Sequence, residues 1–359
     1  MKKSLIALMV ATLPAAAFAD VTVFGTIKGG VEYVDSNNAT KQTNIDDLGS
    51  RLGFKGNEDL GNGLKAIWQV ETGFGIDGQS RTGDSSGTFA SRESFVGLSS
   101  NFGTFRLGHL STYGESDMAQ VNPWESSSNA LQLNAFTRDD GYVKNAVRFD
   151  TPEFSGFKAA FLYGTKENKQ AVGNTNGADR EMYNLGLSYE NSGFFGKYQF
   201  IHESPIAVAV DAGSKANNKH RIEAGYNANN IFVALGYRND KGDYSVTPYS
   251  FLNKGASDVV INDGRKYESQ EYALTAGYQI GAFMPKFTYA QGKDYKVDGA
   301  TQDNTGYKQY LLGVDYSLSK RTVVGAQYGE IKADSAFLNS NGQNTDKVKA
   351  FGLNVVHKF

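Results

Sequence analysis

Apolar and polar residues alternate with a period of two along nearly the whole chain, and this is its strongest pattern. In the first run Val21, Val23, Ile27, Val31 and Tyr33 share one face, while Thr22, Thr26, Lys28 and Glu32 occupy the other. A second run sets Leu48, Leu52 and Phe54 against Arg51 and Lys55. A third sets Leu64, Ala66, Trp68 and Val70 against Lys65, Gln69 and Glu71. Later runs repeat a template in which tyrosine follows an aromatic residue at an interval of six: Tyr183 and Tyr189, Tyr272 and Tyr278, Tyr310 and Tyr316. That interval keeps both rings on one face of a strand but turns them apart on a helix.

Short polar connectors (59–63, 100–103, 190–193, 227–230 and 317–320) alternate with long ones rich in Asn, Asp, Ser and Gly. The long ones cover roughly 35–47, 75–91, 111–144, 166–180, 204–218, 241–267, 293–306 and 331–346. Strict alternation puts every short turn at one end of the sheet, the pattern of a transmembrane barrel with tight periplasmic turns and long external loops. Between the connectors lie strands at 21–34, 48–58, 64–74, 91–99, 104–110, 145–150, 157–165, 181–189, 194–203, 219–226, 231–239, 269–278, 283–292, 307–316, 321–330 and 347–359. The expected fold is all-β, a sixteen-stranded antiparallel transmembrane barrel whose even strand number leaves both termini at the short-turn end. In 91–99 the register is open, since Phe95 competes with Val96 and Leu98 for the outer face.

Tyrosine placement fits a bilayer. Tyr189, Tyr226, Tyr278 and Tyr316 precede short turns, whereas Tyr163, Tyr237, Tyr289 and Tyr328 lie towards the long loops. Two bands of amphipathic rings are what the two membrane–water interfaces select. The bland alternative, tyrosines packed in a soluble β-sandwich, gives no reason for every outer face to be apolar. Hydropathy windows miss such strands, because alternating faces average to polar.

Composition adds the compartment. Residues 1–19 read as a secretory signal peptide: Lys2 and Lys3, an uncharged apolar stretch from Leu5 to Phe18, and an A-x-A site at 17–19. A single barrel domain is then expected over 20–359. The chain has no cysteine although it is directed to an oxidising compartment, so its fold must close without disulfides. It has 41 Gly, 20 Tyr and 23 Phe against 6 Pro, a balance that favours strands with tight turns. A formal net charge of −2 argues against a nucleic-acid partner.

No catalytic set emerges. The four histidines lie at no metal-ligand spacing, and neither HExxH nor GxSxG occurs. No enzyme activity, metal or cofactor is expected. The informative charges lie on the faces opposite the apolar ones. By parity Lys28, Arg51, Lys55, Lys65, Arg106, Arg148, Lys158, Lys197, Arg221, Arg238, Lys286 and Arg321 point inward with Glu32, Glu71, Glu223, Glu271 and Asp315. That count predicts a basic lumen, which must be wet because unpaired charge in a dry interior is very costly. Sixteen strands enclose a cylinder wide enough for water.

The connector 111–144, third of the long ones, carries Glu115, Asp117, Glu125, Asp139 and Asp140 together with the apolar residues Val121, Trp124, Leu131, Leu133 and Phe136. Acids and apolar anchors in one loop predict that it folds into the lumen and faces Arg51, Arg92, Arg106 and Arg148, narrowing the passage. Opposed charge rows set a transverse field that biases ion flow. The alternative is a solvated external loop.

At these residues the chain resembles the general porins of the neisserial and related betaproteobacterial type. The matching segments are DVTVFGTIK at 20–28, SRLGFKGNEDLGNGLKAIWQVE at 50–71, FGTFRLG at 102–108, VRFDTPEFSG at 147–156 and the terminal Phe359. The resemblance implies a homotrimer in the Gram-negative outer membrane, among outer-membrane lipid and lipopolysaccharide, passing small ions and solutes. It implies a third loop folded into each lumen opposite a basic cluster involving Arg51, Arg92, Arg106 and Arg148. It further implies a terminal Phe359 read by the assembly machinery. Pores of this type often favour anions; His109, where many relatives carry a base, departs from that pattern. Two other readings stay open: a surface adhesin or immune ligand on a barrel scaffold, and a substrate-specific channel, for which no aromatic ladder is visible.

Overall fold

The computed structural model describes residues 21–37, 41–78, 89–165, 180–205, 215–242, 265–338 and 344–359. The expected signal peptide lies outside the described residues, as do most or part of several long connectors. The chain forms one closed antiparallel sheet of sixteen strands. In chain order they are β1 (Thr22–Ser36), β2 (Gln42–Asp47 continued by Arg51–Gly61), β3 (Leu64–Gly73), β4 (Ser94–Ser100), β5 (Gly103–Ser111), β6 (Tyr142–Asp150), β7 (Phe157–Gly164) and β8 (Met182–Asn191). The second half comprises β9 (Phe194–Glu203), β10 (Asn217–Ala228), β11 (Ile231–Gly242), β12 (Tyr267–Tyr278), β13 (Phe283–Gly292), β14 (Tyr307–Ser317), β15 (Thr322–Leu338) and β16 (Asn344–Lys358). Each strand pairs with the next, and β1 pairs with β16 from Thr26 opposite Lys358 to Ser36 opposite Val348. Closure leaves no sheet edge, the condition for strands in a bilayer.

The short turns are tight because their residues accept left-handed backbone. Asn62 and Gly63, Ser192 and Gly193, and Asn229 and Asn230 all have positive φ, as two-residue hairpins of right-twisted strands require. Outer faces carry exposed apolar side chains such as Leu107, Phe161, Leu187, Leu235, Leu312 and Leu353. Cross-strand aromatic pairs mark both ends. Phe157 and Tyr189, Phe194 and Tyr226, and Phe283 and Tyr316 stack near the short turns, with centroids 4.4, 4.8 and 4.6 Å apart. Tyr163 and Tyr183, Tyr237 and Tyr272, and Tyr289 and Tyr310 stack towards the long loops at 5.1–5.2 Å.

Several expectations need correction. The supposed connector 35–47 holds the strand Gln42–Asp47, which pairs with Gly29–Val34 of β1. Its sequence is too polar for apolar periodicity to reveal it. The break at 48–50 is held by the Asp47 carboxylate, which accepts from Gly49 N at 3.1 Å and Ser50 N at 3.0 Å. There Leu48 is buried, close to where a side chain on Gly30 would project, instead of joining Leu52 on the outer face. The connector 293–306 contains a small hairpin, Lys296–Val297 with Ala300–Thr301. Strands β15 and β16 run further than expected into 331–346. In β4, Val96 and Leu98 face outward and Phe95 packs inward with Leu110, Ala146 and Leu162. Arg321 sits in a turn and is exposed, not on an inner strand face.

Candidate functional site

The site is built around the segment between β5 and β6. Its ends meet: Thr112 N donates to Gly141 O at 2.9 Å, and the Thr112 hydroxyl donates to Asp139 O at 3.0 Å. Thr112 also caps a single helical turn, α1 (Tyr113–Asp117), by accepting from Glu115 N. The segment is thus closed at its base by its own hydrogen bonds.

Its apolar residues bury against inner-face side chains. Val121, Trp124, Leu133 and Phe136 pack with Phe195, Phe232, Ala234, Ala273, Ala290 and Leu311. Ala130, Leu131 and Ala135 pack with Tyr307, Ile331, Ala333 and Ala350. The Trp124 indole donates to Thr288 Oγ1 at 2.9 Å, and Thr275 donates to Val121 O at 2.6 Å. Glycines make room on the strands. A side chain on Gly186 would overlap the Tyr113 ring, one on Gly236 the Phe136 ring, and one on Gly329 the carbonyl of Ala130.

Charged contacts occur on two sides. Towards β3–β6, Arg148 donates to Asp117 at 2.8 Å, to Asp150 at 2.7 Å and to Ser111 O at 3.0 Å. Arg92 bonds Glu71 at 2.6 Å, Glu115 at 3.3 Å and the Tyr142 hydroxyl. Arg106 pairs with Glu93 at 2.8 Å and Asp150 at 2.7 Å, and Arg51 with Glu71 at 3.5 Å. On β1, Lys28 pairs with Glu125 at 2.6 Å, and Glu32 accepts from Ser127 N at 3.0 Å. Towards β9–β13, Asp139 meets Lys219 at 2.9 Å and Arg238, while Asp140 meets Arg221 at 2.5 Å. Arg138 bonds Asp240 at 2.6 Å and Glu271, and Lys286 bonds Asp315 at 2.7 Å and Pro123 O at 2.5 Å.

The loop acids therefore divide. Glu115 and Asp117 meet Arg92 and Arg148 as expected, but Glu125 meets Lys28, and Asp139 and Asp140 meet bases on the opposite side. Among the described residues Arg106 pairs with Glu93, just before β4, and Asp150 of β6, and with no acid of the loop. Lys55 and Lys65 are exposed at the short-turn end, away from the loop; Lys55 Nζ lies 5.2 Å from the Phe24 ring centroid. Parity also missed Lys219 and the inward acids Glu93, Asp150, Glu203 and Asp240. The expectation of a basic lumen is overturned: the inner charges are largely matched pairs. In the pairs made by the loop's acids the base is the more buried member, whereas the loop's own Arg138 meets a more buried Glu271. Lys28 is 13% exposed against 36% for Glu125. Phe359 closes the seam on the outside, with its N donating to Gly25 O and its O accepting from Gly25 N, both at 3.1 Å.

The two neighbouring acids in the loop, outside the strands, titrate differently. Burial pushes Asp140 up to about 7, aided by Glu115 and Glu223 and opposed by Arg221. Burial opposes ionisation of Asp139 too, but Arg238, Lys219 and Arg138 together hold its carboxyl well below the usual range.

Comparison with known proteins adds three findings. The family model described as Gram-negative porin matches residues 4–336. The major outer membrane protein P.IB of Neisseria sicca is 36% identical over the full length of both chains, and that of Neisseria gonorrhoeae is equally so. Among solved structures, an anion-selective porin from Comamonas acidovorans superimposes with a TM-score of 0.73 at 23% identity, covering 95% of this chain and 100% of that one. OmpT of Vibrio cholerae in a trimer form gives 0.65 at 15% identity, covering 95% and 99%.

Proposed function

This chain belongs to the Gram-negative porin family and is an outer-membrane channel for passive diffusion, and from that premise we propose how its residues shape the passage. Segment 112–141 lies across the lumen and forms the constriction that small hydrophilic solutes and ions must pass. The observation that carries this reading is the set of inner-face glycines, Gly186, Gly236 and Gly329, each occupied by a residue of that segment. Arg92 and Arg148 act as wall anchors for Glu115 and Asp117, Lys28 for Glu125, and Lys219, Arg221 and Arg238 for the return arm at Asp139 and Asp140.

Matched charges leave a transverse field across the narrow section with little net charge along the axis. Selectivity is accordingly weak. Arg51, the most exposed of the wall arginines at 31% and only loosely held by Glu71, tips it towards anions. Lys55, Lys65 and Arg106 contribute as part of the wall's background charge, not as contacts to the constriction.

The protein works as a homotrimer with its termini and short turns in the periplasm and its long loops outside, seated among outer-membrane lipid and lipopolysaccharide. Residues 1–19 are removed on export, leaving one barrel domain, and Phe359 is the signal that the assembly machinery reads. Recording in planar bilayers tests the channel: stable conductance with closures in three equal steps is expected, and a membrane that stays silent sinks it. The absence of cysteine allows a clean test of the constriction. Ser127 Oγ and Asp46 Oδ2 are 2.5 Å apart, so the thiols of S127C and D46C should lie within reach of a short bis-thiol-reactive cross-linker, and bridging them should alter conductance. Failure to cross-link refutes the placement of the segment.

A further inference from the structure

One ring on the first strand lies on the wet side of the wall. Lys28 reaches Glu125 of the loop, so Thr26 and Phe24, two and four residues before it, face the lumen as well. Phe24 is only half-buried there, although contact between a phenyl ring and water is unfavourable. The tip of the ring lies on Gly53 of β2, where an added Cβ would come within 2.3 Å of Phe24 Cζ. That glycine lets the ring lie along the wall and covers part of it with backbone. The rest of the ring stays open to the passage.

Cations frame it. Thr26 stands opposite Arg51 of β2 and opposite Lys358 of β16, which puts both bases one inward position above Phe24. Lys358 shares its face with Asn354, whose amide donates to Glu125 O at 3.3 Å. Below the ring, Lys55 stands opposite Thr22, with its Nζ 5.2 Å from the Phe24 centroid. Lys55 and Lys358 are exposed and have no carboxylate partner among the described residues. Arg51 meets Glu71 at 3.5 Å, and Arg92 holds that same acid more closely at 2.6 Å.

Cations alone would hold any small anion. A ring set among three of them adds discrimination, because it favours a solute that carries its negative charge on an aromatic frame. We propose that this part of the wall, on the short-turn side of the constriction, binds small aromatic carboxylates. The carboxylate meets Arg51 and Lys358, and its ring packs offset or edge-on against Phe24. Lys55 adjusts to the bound anion on its flexible stem. The assignment rests on the anion preference given above to Arg51 and names the solute class which that preference serves.

The test is chloride current through the full-length channel in planar bilayers, with benzoate, cyclohexanecarboxylate or acetate added at neutral pH, where all three acids are ionised. Benzoate should reduce the current saturably, at a lower half-blocking concentration than either of the others. F24A should raise that concentration for benzoate roughly three- to tenfold and leave the value for acetate where it was, whereas K358Q should raise both. Equal block by benzoate and acetate in the wild type overturns the proposal without recourse to any variant. Equal block by benzoate and cyclohexanecarboxylate reduces Phe24 to apolar cover and overturns the aromatic assignment, as does an unchanged benzoate value in F24A. A preference for sodium over chloride in a simple salt gradient sinks the reading of Arg51. Chloride preference without discrimination among the three acids sinks this inference alone.

Discussion

Arg148 and Asp117 form an ion pair of 2.8 Å in which the two partners see different surroundings: the arginine side chain is 2% exposed and the aspartate 38%. The arginine also serves Asp150, Ser111 O and Ser116, so it is the fixed element and the loop acid the movable one. Removing Arg148 deletes its charge-assisted hydrogen bonds to Asp117, Asp150 and Ser111 O, each worth about 1.5–3 kcal/mol, whereas removing Asp117 leaves Arg148 held by Asp150 and costs about 1 kcal/mol or less. R148M should therefore loosen α1 and raise open-channel noise strongly, and D117N only slightly. Single-channel recordings showing equal effects would contradict the hierarchy.

A second prediction concerns close approach. At Gly236 an added side chain meets the Phe136 ring and Val121. G236V should expel that part of the loop at a cost of about 1–3 kcal/mol while leaving the apolar outer face intact. The expected result is larger conductance and faster proteolysis of 112–141, with the sixteen-stranded barrel still resistant to heat in detergent.

Selectivity should respond most to Arg51. R51Q leaves Glu71 paired with Arg92 at 2.6 Å, so it removes a water-facing cation without orphaning an acid. In a salt gradient the reversal potential should move towards cations. R106Q would leave Glu93 and Asp150 short of a partner and should disturb the wall instead.

The loop should also sense pH through Asp140. Its folded value is raised to about 7 from the usual carboxylate range, so the folded loop binds the proton more readily than a free chain does. Its attachment is then strongest at acid pH and weakens as pH rises from about 4 to about 7. Asp139, held low, contributes stability that is present through this window and lost only in much stronger acid. Closure frequency measured between pH 5 and pH 8 should rise with pH in the wild type. D140N should flatten that dependence; a persisting slope would assign it elsewhere.

The sequence made the barrel readable wherever a strand has one face in lipid, because apolar residues then recur at every second position, as from Tyr183 to Tyr189. Where strands leave the membrane the same backbone continues with polar residues on both faces. Gln42–Asp47 and the hairpin at 296–301 were hidden for that reason. Within the loop, Trp124, Leu131 and Phe136 identified themselves as anchors, since large apolar side chains need cover. The partners of its acids were not legible. Parity states which face a base is on, not where an irregular segment crosses it, so Asp139 and Asp140 were assigned to the wrong side. Gly186 and Gly236 carried a usable signal: glycine on an inner face amid larger residues marks backbone or a ring close by.

The seam has a consequence for how the molecule comes into being. Thr22–Ser36 finds its outer partner only in Asn344–Lys358, so every shorter chain has two unsatisfied edges, each a template for a stray strand. Joining the two ends of a chain this long is a slow search compared with forming any hairpin between neighbours. The ring is thus the last event, and until it happens the nascent sheet needs shelter from its own kind.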